Sequence, residues 1–103
     1  MNASSFCDSF IDNMIHGFNS FESNYNMSYS KNTFYSYRMP ICKYRKTDDN
    51  KHLFSVVDRD QSPSMTTTKH MSKLVYCIEK ASRDNPDIVI ETVSTFREER
   101  PNV

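Results

Sequence analysis

The feature that most narrows the fold of this chain is a change of hydrophobic period along it. From Ser4 to Phe18 the apolar residues Phe6, Phe10, Ile11, Met14, Ile15 and Phe18 recur every three or four positions, which places them on one stripe of a helix. A second stripe, Met71, Leu74, Val75, Ile78 and Ala81, follows a hydroxyl cluster at Ser64, Thr66, Thr67 and Thr68. Between the stripes the period falls to two: Tyr35, Tyr37, Met39 and Ile41 alternate with Ser36, Arg38, Pro40 and Cys42, as a strand requires. Helical ends around a β-patterned middle predict an α+β domain.

Breakers and caps set the expected boundaries. Asn2, Ser4 or Ser5 can cap the first helix, Asp8 suits its positive dipole end, and Gly17 followed by Asn19 stops it. Residues 19–32, rich in Asn and Ser, read as a loop because their side chains compete for backbone partners. The run 33–46 reads as one strand, with Pro40 marking an edge or a bulge. The turn-forming tetrad Thr47-Asp48-Asp49-Asn50 then leads into a second strand carrying Leu53, Phe54, Val56 and Val57, and the two form an antiparallel hairpin. Residues 60–64 break that strand, and Asp84-Asn85-Pro86-Asp87 ends the second helix. The β-branched segment Ile88 to Phe96 returns as a third strand. The expectation is one domain over 1–103, frayed at 1–2 and 97–103, in the order α-β-β-α-β. Its antiparallel sheet of about three strands packs against two helices, with Leu74, Val75 and Ile78 meeting Phe10, Ile11 and Met14.

Composition removes several function classes. The 13 basic and 13 acidic residues cancel, so the whole chain announces neither a nucleic-acid nor a membrane ligand. The distribution is uneven: residues 1–30 hold Asp8, Asp12 and Glu22 with no base, whereas 31–59 hold seven bases against three acids. Cys7, Cys42 and Cys77 are widely spaced, which excludes a complete disulfide framework and any C-x-x-C motif, and they read as thiols of a reducing compartment. No leader-like or membrane-spanning apolar run is evident, so a cytoplasmic protein without membrane association is expected. A single glycine, Gly17, excludes both glycine-rich phosphate loops, and no cofactor or metal is expected.

Little in the chain suggests catalysis. Asp58 and Asp60 form a D-x-D that reads as a polar turn ending a strand in preference to a metal site. His16, His52 and His70 fall on three elements, and only His70 has hydroxyl neighbours that would support a minor enzymatic role. Two segments suit binding instead. The hairpin mixes aromatics and bases, Tyr35, Tyr37, Arg38, Lys43, Tyr44, Arg45 and Lys46, a set fitted to stacking bases and tracking phosphates and equally to a protein interface. The start of the second helix offers Thr67, Thr68, Lys69 and His70 beside free backbone N–H groups, which reads either as an N-cap or as an anion site.

Ser36, Tyr37, Pro40 and Ile41, followed by Ser64, Thr66, Thr67, Lys69 and His70, form an SY-x-x-PI strand and an S-x-TT-x-KH helix start. In these residues the chain resembles a family of small bacteriophage-encoded proteins of unknown function. The resemblance implies a phage-type interaction protein that binds a host protein or complex, such as an anti-CRISPR-like inhibitor of host defence or of nucleic-acid-handling machinery. Direct DNA or RNA binding through the same hairpin is the alternative expectation.

Overall fold

The computed structural model describes residues 2–18, 21–94 and 96. Helix α1 spans Ala3–His16, and Asn2 caps it by accepting the Ser5 N–H at 2.8 Å. It ends at Gly17, whose φ of 77° lets its own N–H reach the Met14 carbonyl and that of Phe18 reach Asn13. A Cβ at Gly17 would meet nothing within 4 Å, so backbone conformation and not space calls for glycine there.

The segment read as a loop folds instead into two strands, β1 (Phe21–Asn24) and β2 (Met27–Ser30), which pair antiparallel. In Met27-Ser28-Tyr29-Ser30 the apolar side chains alternate with hydroxyls, and Met27 and Tyr29 are buried. That period of two outweighs the loop preference of the serines. The run read as one strand is two, β3 (Thr33–Ser36) and β4 (Met39–Lys46), reversed at Tyr37-Arg38. Phe34 pairs with Cys42 but Tyr35 with Pro40, so Ile41 is the extra residue of a bulge beside the proline. Ile41 and Cys42 are both fully buried, which strict alternation would forbid.

Strand β5 (His52–Val57) pairs antiparallel with β4 across the Thr47–Asn50 turn, as the sequence predicts. A short 3-10 turn, Arg59–Gln61, precedes α2 (Met65–Asp84), which Ser64 caps through the Thr67 N–H at 3.1 Å. Helix α2 carries the chain back along the sheet, so β6 (Ile88–Val93) lies parallel to β5, not antiparallel. The sheet therefore has six strands of mixed direction in sequential order, not about three antiparallel ones.

Both helices cover the same face. Phe6 and Phe10 of α1 pack their rings on Tyr29, Phe34 and Phe54 at centroid separations of 5.2 to 6.1 Å. Met71, Leu74, Cys77 and Ile78 of α2 are fully buried in the same cluster, and the expected meeting of Leu74 and Ile78 with Phe10, Ile11 and Met14 is present. Val75 packs against that core while half-buried. The third strand's expected extension reaches past the β6 boundary, and residues 95 and 97–103 lie outside the described residues. Among the described residues no helix is long and apolar enough to cross a membrane.

Candidate interaction surfaces

Cross-strand register sorts the side chains between the two faces of the sheet. The row Tyr29, Phe34, Cys42, Val56 points to the helices and is buried throughout. The adjacent row, Phe21, Ser30, Thr33, Lys43, Ser55, Glu91, points the other way, as does the row Ser23, Ser28, Tyr35, Pro40. No described helix covers this second face. Its carboxylate is Glu91 on β6, which accepts the Ser55 hydroxyl at 2.6 Å. Over β1 to β4 the outward row positions hold hydroxyls, aromatics, bases and Pro40, and no carboxylate.

The alternation divides the basic aromatic hairpin. Tyr35, Lys43 and Arg45 share the open face, and the Lys43 ammonium lies 5.2 Å from the centroid of the Phe96 ring. Tyr44 turns to the helix side, stacks on His52 and shares a 2.8 Å hydrogen bond between its hydroxyl and His52 Nδ1, and burial pushes its phenol up from the ordinary value. Lys46 pairs with His52 on that same side. The hairpin is also interior to the sheet; among the described residues the edge strands are β1 and β6. Strand addition is therefore closed at β4.

Tyr37 and Arg38 form the turn at one end of the sheet, beside the Tyr25-Asn26 turn between β1 and β2. The two turns are tied by the Tyr37 N–H donating to the Asn26 carbonyl and by the Asn26 amide donating to the Tyr37 hydroxyl at 3.3 Å. Here Phe21, Ser23, Tyr25, Ser28, Tyr37 and Arg38 line a shallow hollow of about 660 Å³. Phe21 is 69% exposed, Tyr25 96% and Tyr37 51%, an unusual display of aromatic surface. Tyr25 and Tyr37 both sit at φ 57°, a left-handed conformation that costs an ordinary side chain about 1 kcal/mol or more. Phe21 and Tyr25 escape the sequence reading because they fall in the supposed loop. The spacing of two from Phe21 to Ser23 on β1, continued to Tyr25 in the turn that follows, is the signal that reveals them.

The helix-start residues also separate. Thr67 and His70 turn inward to Ser36 of β3: Ser36 Oγ lies 3.0 Å from Thr67 Oγ1 and 2.7 Å from His70 Nδ1. Ser64 Oγ lies 3.2 Å from Thr67 Oγ1, so donors can run in one direction, Ser64 to Thr67 to Ser36 to a neutral His70. Burial holds His70 below its ordinary pKa, which fits the neutral ring at the end of this chain. Ser36 is fully buried, so the Ser36–His70 pair presents no nucleophile to a substrate; it bonds β3 to the start of α2. Thr68 and Lys69 face outward, beside Arg59, Ser72, Lys73 and Tyr76.

Asp58 accepts the Asp60 N–H at 3.0 Å and so caps the 3-10 turn, the polar-turn role read from the sequence. Among the described residues no three His, Cys, Asp or Glu side chains converge as metal ligands. The three cysteines are buried and unpaired, and burial raises each thiol above its ordinary value, which makes them poor nucleophiles.

No curated protein and no solved structure matches the chain. Residues 8–91 match the model of a family of unknown function, DUF8033, and the chain belongs to that family.

Proposed function

We propose that the protein works as a binding module whose partner is another protein, docked at the aromatic end of the open sheet face. The observation that carries this reading is the set Phe21, Tyr25 and Tyr37, displayed with Arg38 around one hollow. Water gains nothing from three exposed rings, and two of them are held in a strained backbone conformation. Aromatic side chains beside an arginine are the residues that most often dominate protein interfaces. Tyr35, Lys43 and Arg45 extend the same face towards the sheet centre, where they form its polar and basic margin.

The finer reading, a phage-encoded inhibitor of host defence or nucleic-acid-handling machinery acting in the host cytoplasm, rests on the sequence resemblance alone. It would make the partner a host protein. Three buried free thiols suit a reducing compartment. The test is a pull-down from host lysate with the wild-type chain and with a Phe21→Ser/Tyr25→Asn variant as baits. A partner retained by the wild type and lost by a variant of unchanged melting temperature supports the reading. Equal retention by both baits would refute it.

A further inference from the structure

The solvent face of α2 presents a second surface, on the opposite side of the molecule from the open sheet face. Lys69, Lys73, Tyr76 and Lys80 follow one another at spacings of four, three and four, so they share one exposed stripe. That stripe lies opposite Met71, Leu74 and Ile78, which face the core. Arg59, from the 3-10 turn, flanks its beginning. Arg59, Thr68, Lys69, Ser72, Lys73 and Tyr76 line a hollow of about 470 Å³. The lining thus combines three bases and three hydroxyls with no carboxylate.

Charge around this groove is not arranged for helix stability. The first turn of α2 holds no acidic residue, so the positive end of the helix dipole adds to the bases near it. Among the described residues the ion pair is Lys51 with Asp87, at the other end of the sheet, and none of Arg59, Lys69, Lys73 or Lys80 has an ionic partner. Carboxylates stand around the groove without lining it: Asp58 and Asp60 neighbour Arg59 in the 3-10 turn, Asp8 of α1 lies beside Cys77, and Glu79 and Asp84 follow on α2. In the middle, Tyr76 is 53% exposed and Lys80 reaches over its ring at 5.8 Å. A flat ring flanked by bases at regular spacing matches a chain of stacked bases and phosphates. From Lys69 to Lys80 the helix rises about 16 Å, enough to follow a few successive phosphates.

We propose that this groove binds single-stranded nucleic acid, with Arg59, Lys69, Lys73 and Lys80 on the phosphates and Tyr76 as a stacking platform. The inference is independent of the protein-docking reading, since the two surfaces share no residue. A chain that used both would hold a protein partner and a nucleic acid at once.

The experiment is fluorescence anisotropy with labelled oligo-dT and mixed-sequence RNA of about 20 nucleotides, over a salt series from about 50 mM. The wild type is expected to bind both with a negative salt slope. Replacing Arg59, Lys69 and Lys73 by Ser is expected to weaken binding more than tenfold at low salt. It should also shallow the slope by about two, the value for three lost contacts to a single strand. Tyr76→Ala is expected to weaken binding about tenfold with the slope kept, because stacking releases no counterion. Lys43→Ser/Arg45→Ser, on the open face, leaves binding unchanged. The proposal is overturned if the wild type binds no oligonucleotide at low salt, or if the triple variant binds as well as the wild type. It is overturned equally by binding to phosphatidylserine vesicles without binding to oligonucleotides, and by loss of binding in the open-face variant with none in the α2 variants.

Discussion

The two faces of the sheet differ in what holds their side chains in place. On the helix-covered face the row Tyr29, Phe34, Cys42, Val56 is buried at every position, and even its polar neighbours Ser36 and Thr67 have hydrogen-bond partners. On the open face Phe21 and Tyr25 project into water with no described partner ring, at the end of a four-residue edge strand. Packing explains the residues of the first face almost completely, and leaves those of the second without a structural reason. The difference implies that substitutions on the covered face act on stability, whereas those on the open face act on binding.

The covered face breaks most readily at its apolar centre. Leu74 is fully buried against α1 and the sheet, so Leu74→Ala is expected to cost about 2–5 kcal/mol, a large part of the stability of a domain this small. Urea denaturation measures it directly. A midpoint equal to that of the wild type would mean that α2 does not pack on the sheet through this stripe.

Ser36→Ala is the next largest change. It removes the link that joins Thr67 Oγ1 to His70 Nδ1, leaving one buried hydroxyl with a single remaining partner and one ring nitrogen with none. The expected loss is about 1–3 kcal/mol, and a loss near zero would mean that water replaces the hydroxyl there. The same group of residues predicts a pH dependence. Burial sets the folded pKa of His70 below its ordinary value of 6.5, so the unfolded chain takes up the proton first as pH falls. Stability from the neutral ring is complete above about 6.5 and declines as pH drops from there towards the folded pKa. Comparison of urea midpoints at about pH 7.5 and pH 5.5 is expected to show a fall in the wild type that His70→Gln reduces. An identical fall in both proteins would assign it to other groups.

What could be read from the sequence follows the same division. The helices were legible because Phe6, Phe10, Ile11 and Met14, and likewise Leu74 and Ile78, repeat at a period that only a helix satisfies. The Thr47–Asn50 turn was legible for its side-chain chemistry. The strands β1 and β2 were not, because four-residue strands show barely two alternations and their serines imitate a loop. The reversal at Tyr37-Arg38 was hidden because the apolar alternation of residues 35–41 runs straight through it, and neither turn residue is a usual turn former. The hairpin residues divide for a related reason: composition groups Tyr44 and Lys46 with Lys43 and Arg45, but adjacent residues of a strand face opposite sides.

The smallest expected effect on stability is the sharpest test of the comparison, because it predicts opposite signs for folding and for binding. Tyr25 is 96% exposed, so its ring contributes almost no burial, while its backbone is held at φ 57°. Asn adopts that region far more readily than an aromatic residue does. Tyr25→Asn is therefore expected to leave stability unchanged or to raise it by up to about 1 kcal/mol, as the backbone strain is relieved. If the open face serves only as solvated surface, nothing else changes. If it docks a protein, the same substitution weakens capture of that partner, because the ring is then used only in the complex. Melting temperature and partner affinity measured on this one variant separate the two faces. A drop in melting temperature would show that the ring packs against the folded chain in solution, and Tyr25 would then belong with the covered face, as a residue kept for stability.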